Sequence, residues 1–180
     1  MDGSRTSPRV SRSAFTLIEM MIVVGIFLVM LGVTLASFRQ AIPQRELTET
    51  ARRFASDIEQ MRVASYAGDP QHPDAISFGV VLDGALVDRY ERFRSTQAQF
   101  DPDAPPEIIE GITLPDNVFI RSLTPTSGSE QILSISYTAP RGALTITNDA
   151  TEAEVVFGHT GTSETRTVRV NGISGRVDLE

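Results

Sequence analysis

The sequence predicts an α+β fold: one long N-terminal helix, apolar first and amphipathic after, followed by an antiparallel β-sheet domain. Three observations lead there. Met20–Phe38 runs for 19 residues without a charge. Leu47, Ala51, Phe54, Ile58 and Met61 then recur at spacings of four and three, one face of a helix. Beyond Gly68 the pattern changes to short apolar or alternating stretches divided by turn residues.

The bulk numbers are compatible with this plan. A chain of 180 residues accommodates one ordinary domain and an extra segment. With 41% hydrophobic and 22% charged residues, a folded core is expected. The absence of cysteine excludes disulfides and thiolate metal sites. All 16 basic residues are arginine, so no lysine is available for a Walker-type phosphate loop or a Schiff base. A net charge of −7 disfavours a general nucleic-acid binder. Charge is also unevenly placed: Arg5, Arg9 and Arg12 against Asp2 give +2 before Phe15, leaving −9 on the rest. A basic head before an apolar run is a targeting pattern.

As a helix the apolar run spans about 28 Å, close to the hydrocarbon thickness of a bilayer. It is longer than the apolar region of a cleaved secretory signal and continues into a helical pattern. A plain signal anchor fits its length and its flanking arginines. Glu19 is what an anchor leaves unexplained. A carboxylate at mid-bilayer costs on the order of 3 kcal/mol, and less at the edge. The ordinary reading of Glu19 is an acid favoured by the helix N-terminal dipole.

The amphipathic segment, residues 44–65, places its apolar stripe against the following sheet. Arg45, Glu46, Glu49, Arg52, Arg53, Asp57 and Glu59 are expected to face water, with Glu49 and Arg53 as a supporting pair. Pro43 removes one hydrogen bond, so a single helix from about Phe15 to Ala67 is expected to bend or partly melt there. Gly68–Asp74 ends it.

Nine strands are expected over 76–82, 86–94, 108–114, 118–123, 132–137, 144–147, 154–157, 165–170 and 175–179. Asp83-Gly84, Pro115-Asp116-Asn117, Ser127-Gly128, Pro140-Arg141-Gly142 and Asn171-Gly172 separate most of them. Phe100–Pro106 reads as an exposed loop. Its Asp101 and Asp103 have the spacing of calcium ligands but lack the glycine and glutamate of a known loop.

The string Ala14-Phe15-Thr16-Leu17-Ile18-Glu19, with the basic leader before it and the apolar run after, resembles the prepilin processing motif of type IV pilin-like proteins. The resemblance implies a pilin-like fold and a chain divided into a leader (1–14), a transmembrane-amphipathic helix (15–67, membrane part 20–38) and a globular β domain (68–180). It implies cleavage between Ala14 and Phe15 by prepilin peptidase, N-methylation of Phe15, and an assembly role for Glu19. Ala14 departs from the glycine usual in that family. Cleavage leaves an α-amine at the membrane edge, the cationic partner a carboxylate there requires.

The layout resembles, more loosely, the H-type minor pseudopilins of type II secretion and their type IV pilus relatives. The closing stretch from Arg166 to Leu179, with Gly175-Arg176 before the last strand, is similar to their final hairpin. The implied function is that of a minor pilin or pseudopilin, not an enzyme. Its implied partners are prepilin peptidase/methyltransferase, sibling pilins, the inner-membrane assembly platform and membrane lipid. The implied location is the inner membrane, single-pass, with the β domain outside the cytoplasm, and then an envelope filament. An alternative is a DNA- or surface-binding minor pilin for competence or adhesion, using Arg166, Arg169 and Arg176. Asp178 and Glu180 oppose phosphate binding there, and pairing of these arginines with Glu164 or Asp178 competes. No cofactor or metal ligand set is expected. His72 and His159 read as surface residues in turns, and Gly158–Ser163 as a hairpin loop without the lysine of a phosphate cradle.

Overall fold

Uninterrupted apolar residues followed by a stripe at helical spacing give a single helix, α1, over Leu17–Ala67. The structure, a computed structural model, describes residues 16–98, 101, 106–125 and 131–180, and the backbone alone at 36–40. The chain divides into two compact units, Met1–Arg39 and Gln40–Glu180. In the first, Leu17–Leu35 is exposed along its whole length.

Pro43 does not melt the helix, which stays helical through Ala67. A proline inside a helix removes one hydrogen bond of the ladder, and the turns on either side supply the rest. Leu47, Ala51, Phe54, Ile58 and Met61 are all buried. Asp57 lies among them, only 6% exposed, although its charge would place it in water.

All nine expected strands form: β1 (Ser77–Asp83), β2 (Arg89–Ser95), β3 (Glu107–Thr113), β4 (Val118–Thr124), β5 (Ile132–Thr138), β6 (Ala143–Ile146), β7 (Glu152–His159), β8 (Thr162–Asn171) and β9 (Val177–Leu179). They make two antiparallel sheets, ordered β3-β2-β1-β5-β6 and β4-β7-β8-β9. Most boundaries shift from expectation by one to three residues, and three of the shifts bear on the packing. Residues 86–88 stay outside β2, and the Val87 carbonyl instead accepts from the Ile120 N–H at 2.7 Å. Thr147 begins a 3-10 turn rather than ending β6. Gly158, Thr162 and Ser163 belong to strands, so the β7–β8 hairpin turns on Thr160-Gly161 alone.

The two sheets and the amphipathic half of α1 share one core. Phe54 lies at its centre. Its ring meets Tyr90 of β2 edge-on at 4.9 Å and Phe157 of β7 at 5.5 Å, so one helix side chain touches both sheets. Each sheet also pairs a phenylalanine with a glycine across strands, Phe93 with Gly79 and Phe119 with Gly158. A Cβ on Gly79 would stand 2.3 Å from the Ile135 carbonyl oxygen and 2.9 Å from the Phe93 ring, so the close approach excludes any side chain.

Candidate functional site

The start of α1 is built from Thr16 and Glu19. Thr16 is the last residue before the helix, and its Oγ1 accepts a hydrogen bond from the Glu19 N–H at 3.3 Å. Its carbonyl accepts from the Glu19 and Met20 N–H groups at 3.1 and 3.2 Å. Thr16-x-x-Glu19 is the spacing of a capping box, with a hydroxyl at the N-cap and a carboxylate at the third helical position. Glu19 is also the acidic residue of the first turn, where the helix dipole favours negative charge.

From that cap, Leu17–Leu35 runs 19 residues with a mean hydropathy of 2.5, long and apolar enough to cross a membrane. Residues 9–35 match the family described as the prokaryotic N-terminal methylation motif. The chain carries a type IV pilin-like prepilin motif. This motif marks structural pilin-type subunits and implies processing by prepilin peptidase and assembly with other pilins. The apolar helix fits the single-pass membrane anchor of a pilin. Neither the comparison with curated proteins nor that with solved structures yields a match. Ala14 and Phe15, the residues at the expected cleavage and methylation point, lie outside the described residues.

The C-terminal arginines do not form one patch. Arg166 and Arg169 are three apart on β8, so they lie on opposite faces of its sheet. Arg166 turns towards α1, with Nε 3.4 Å from the Thr48 hydroxyl and Nη2 3.8 Å from Glu164. Arg169 sits between Glu152 at 2.7 Å and Glu180 at 2.9 Å. Arg176 pairs with Asp178 at 2.7 Å.

His159 is not a surface turn residue. It is the last residue of β7, 6% exposed, and faces the start of the amphipathic half of α1. Its Nδ1 accepts the Gly161 N–H at 2.8 Å, which leaves the proton on Nε2 to be donated to Glu46 at 3.0 Å. Gln44 reaches Glu164 at 2.7 Å beside it. The β7–β8 hairpin therefore holds the first turns of the amphipathic segment by polar side chains, where the buried stripe has only begun. The sequence reading missed this contact, having placed Glu46 towards water.

A second polar group joins the helix to β2. Tyr90 donates to Asp57 at 2.5 Å, and the Arg92 guanidinium reaches Asp57 at 3.6 Å, Gln60 at 3.1 Å and Glu110. Burial, together with the hydrogen bond to Asp57, pushes the Tyr90 hydroxyl well above its ordinary range. Burial raises Tyr137 likewise, to about 12. His72 lies in its turn as expected, donating from Nδ1 to Asp69 at 3.0 Å and accepting from Arg94 at 2.9 Å. Arg94 also forks onto Glu107, at 2.7 and 2.5 Å. That hydrogen bond holds the Glu107 carboxyl below the usual range, and the Gln71 N–H does the same for Asp69. Both arrangements tie elements together rather than present free reactive groups. Among the described residues, no group of three or more His, Asp or Glu is placed to hold a metal ion. Asp103 falls outside the described residues.

Proposed function

We propose that the chain is a minor pilin or pseudopilin, a structural subunit of a type II secretion pseudopilus or type IV pilus. The observation that carries the reading is the methylation motif at residues 9–35, running into an exposed apolar helix with Glu19 in its first turn. In this reading residues 1–14 are the leader, the bond after Ala14 is cut, Phe15 receives the methyl group, and the β domain stands outside the cytoplasm.

Glu19 then has a specific task. Cutting at Phe15 creates an α-amine one residue before the Thr16 cap, at the membrane edge. A carboxylate and an ammonium each lose water on helix packing, and each is costly to bury without the other. Pairing Glu19 with the amine of a neighbouring subunit favours assembly and fixes axial register. The layout of one long helix followed by two antiparallel sheets supports the resemblance to H-type minor pseudopilins. So does a closing hairpin with Gly175-Arg176 before β9. The carboxylate partners of Arg166, Arg169 and Arg176 favour this structural role over phosphate binding.

The test is recovery of the chain in sheared filament fractions alongside sibling pilins. Glu19→Ala is expected to leave the chain in the membrane fraction. Recovery of Glu19→Ala in filaments at the wild-type level would overturn the assembly role.

A further inference from the structure

We propose that Asn171-Gly172, at the turn between β8 and β9, is a latent modification site: Asn171 converts to aspartate and isoaspartate through a cyclic imide, and the folded turn holds that reaction back. Asn171 is the only asparagine of the chain that a glycine follows. In the reaction the Gly172 nitrogen gives up its proton to water and bonds to the side-chain carbonyl carbon of Asn171. The side-chain nitrogen leaves as ammonia, taking a proton from water. Water then opens the five-membered ring at either carbonyl. One opening gives aspartate, and the other routes the main chain through the side chain as isoaspartate. Glycine leaves the attacking nitrogen unshielded, because it has no side chain.

The fold requires both residues of the pair. Asn171 Oδ1 accepts hydrogen bonds from the Ile173 N–H at 3.1 Å, the Ser174 N–H at 2.9 Å and the Ser174 hydroxyl at 3.0 Å, and so builds the turn. A Cβ on Gly172 would stand 2.8 Å from the Ala150 carbonyl oxygen, a clash that only glycine avoids. The same contacts oppose the reaction. Ring closure needs the side-chain carbonyl carbon to reach the Gly172 nitrogen in a near-attack geometry. Three donors instead anchor its oxygen to residues 173 and 174. The Gly172 N–H, whose proton must be lost, is donated to the Thr151 carbonyl at 2.8 Å. The main chain of Asn171 is fixed as well: its N–H donates to the Arg176 carbonyl at 2.9 Å, and its carbonyl accepts the Gly175 N–H at 2.8 Å. Opening of the turn therefore sets the rate of conversion. Ser174 is exposed, so its hydroxyl can be removed without disturbing the core.

The test incubates the full-length chain in detergent at mildly alkaline pH. Conversion at Asn171 is read by peptide mapping with mass spectrometry, and isoaspartate by enzymatic methyl transfer to its carboxyl. The folded chain is expected to convert at least about tenfold more slowly than the chain with its β domain unfolded in guanidinium. Ser174→Ala is expected to raise the folded-chain rate by about fivefold, the effect of losing one hydrogen bond. Ser174→Thr keeps the hydroxyl and is expected to hold the wild-type rate. Ile120→Val loosens the core elsewhere and is expected to leave the rate unchanged, which separates opening of the turn from global unfolding. Equal rates in the folded and unfolded chain would overturn the proposal. So would Ser174→Ala converting no faster than wild type; a slower rate would mean that the donors activate the carbonyl rather than restrain it. Equal acceleration by Ile120→Val and Ser174→Ala would also overturn it, as would an unfolded chain in which Asn171 does not convert.

Discussion

Glu46 and His159 are 113 residues apart in sequence and meet at 3.0 Å, joining the start of the amphipathic segment of α1 to the end of β7. The imidazole is held from both sides, by the Gly161 N–H and by the Glu46 carboxylate. His159→Ala removes a donor and an acceptor at once and leaves the Gly161 amide without its partner. The expected loss is about 1–3 kcal/mol, read from thermal unfolding of the full chain in detergent. Glu46→Ala, with its carboxylate half-exposed, is expected to cost less. A double-mutant cycle is expected to give a coupling on the order of 1 kcal/mol. Additive losses would mean that the two side chains act separately.

Much of the fold was legible in the sequence because its periodicities are strong. The uncharged run forms a helix that is exposed along Leu17–Leu35, the stripe from Leu47 to Met61 buries one face of α1, and the apolar stretches beyond Gly68 form strands. Asp57 and His159 were misread for a common reason. Their polarity argues for water, but the partners that permit burial, Tyr90 with Arg92 and Glu46 with Gly161, are distant in sequence. Pro43 was expected to bend or partly melt the helix because a propensity rule weighs the missing hydrogen bond. It does not count the neighbouring turns that keep the backbone helical. The processing motif was legible because it is local: its residues lie in one stretch of sequence and need no tertiary partner to be recognised.

Two strand glycines separate close approach from mere conformational freedom. Gly79→Ala drives a Cβ to 2.3 Å from a backbone oxygen on the neighbouring strand, and is expected to destabilise by several kcal/mol or prevent folding. Gly111→Ala on edge strand β3 meets nothing within 4 Å and is expected to be neutral or stabilising by about 0.5 kcal/mol. Equal effects of the two substitutions in thermal unfolding would refute the packing of Phe93 over Gly79.

The titratable groups give the stability a shape in pH. Asp69 and Glu107 have folded-state values below their ordinary ones, so their share is present above about pH 4 and lost as pH falls through the lowered values. Tyr90 and Tyr137 are raised, so their share is complete below about pH 10 and is lost as pH rises, for Tyr137 through about 12. These groups are therefore expected to make the melting temperature fall at both ends of the pH range. Tyr137→Phe is expected to flatten part of the alkaline limb. An unchanged alkaline limb in both Tyr137→Phe and Tyr90→Phe would contradict their burial.

The prepilin reading is tested most directly by intact-mass spectrometry of the chain recovered from cells with an active prepilin peptidase. The expected species lacks residues 1–14 and carries one methyl group on the Phe15 amine. Recovery of only the full-length, unmethylated chain would contradict it.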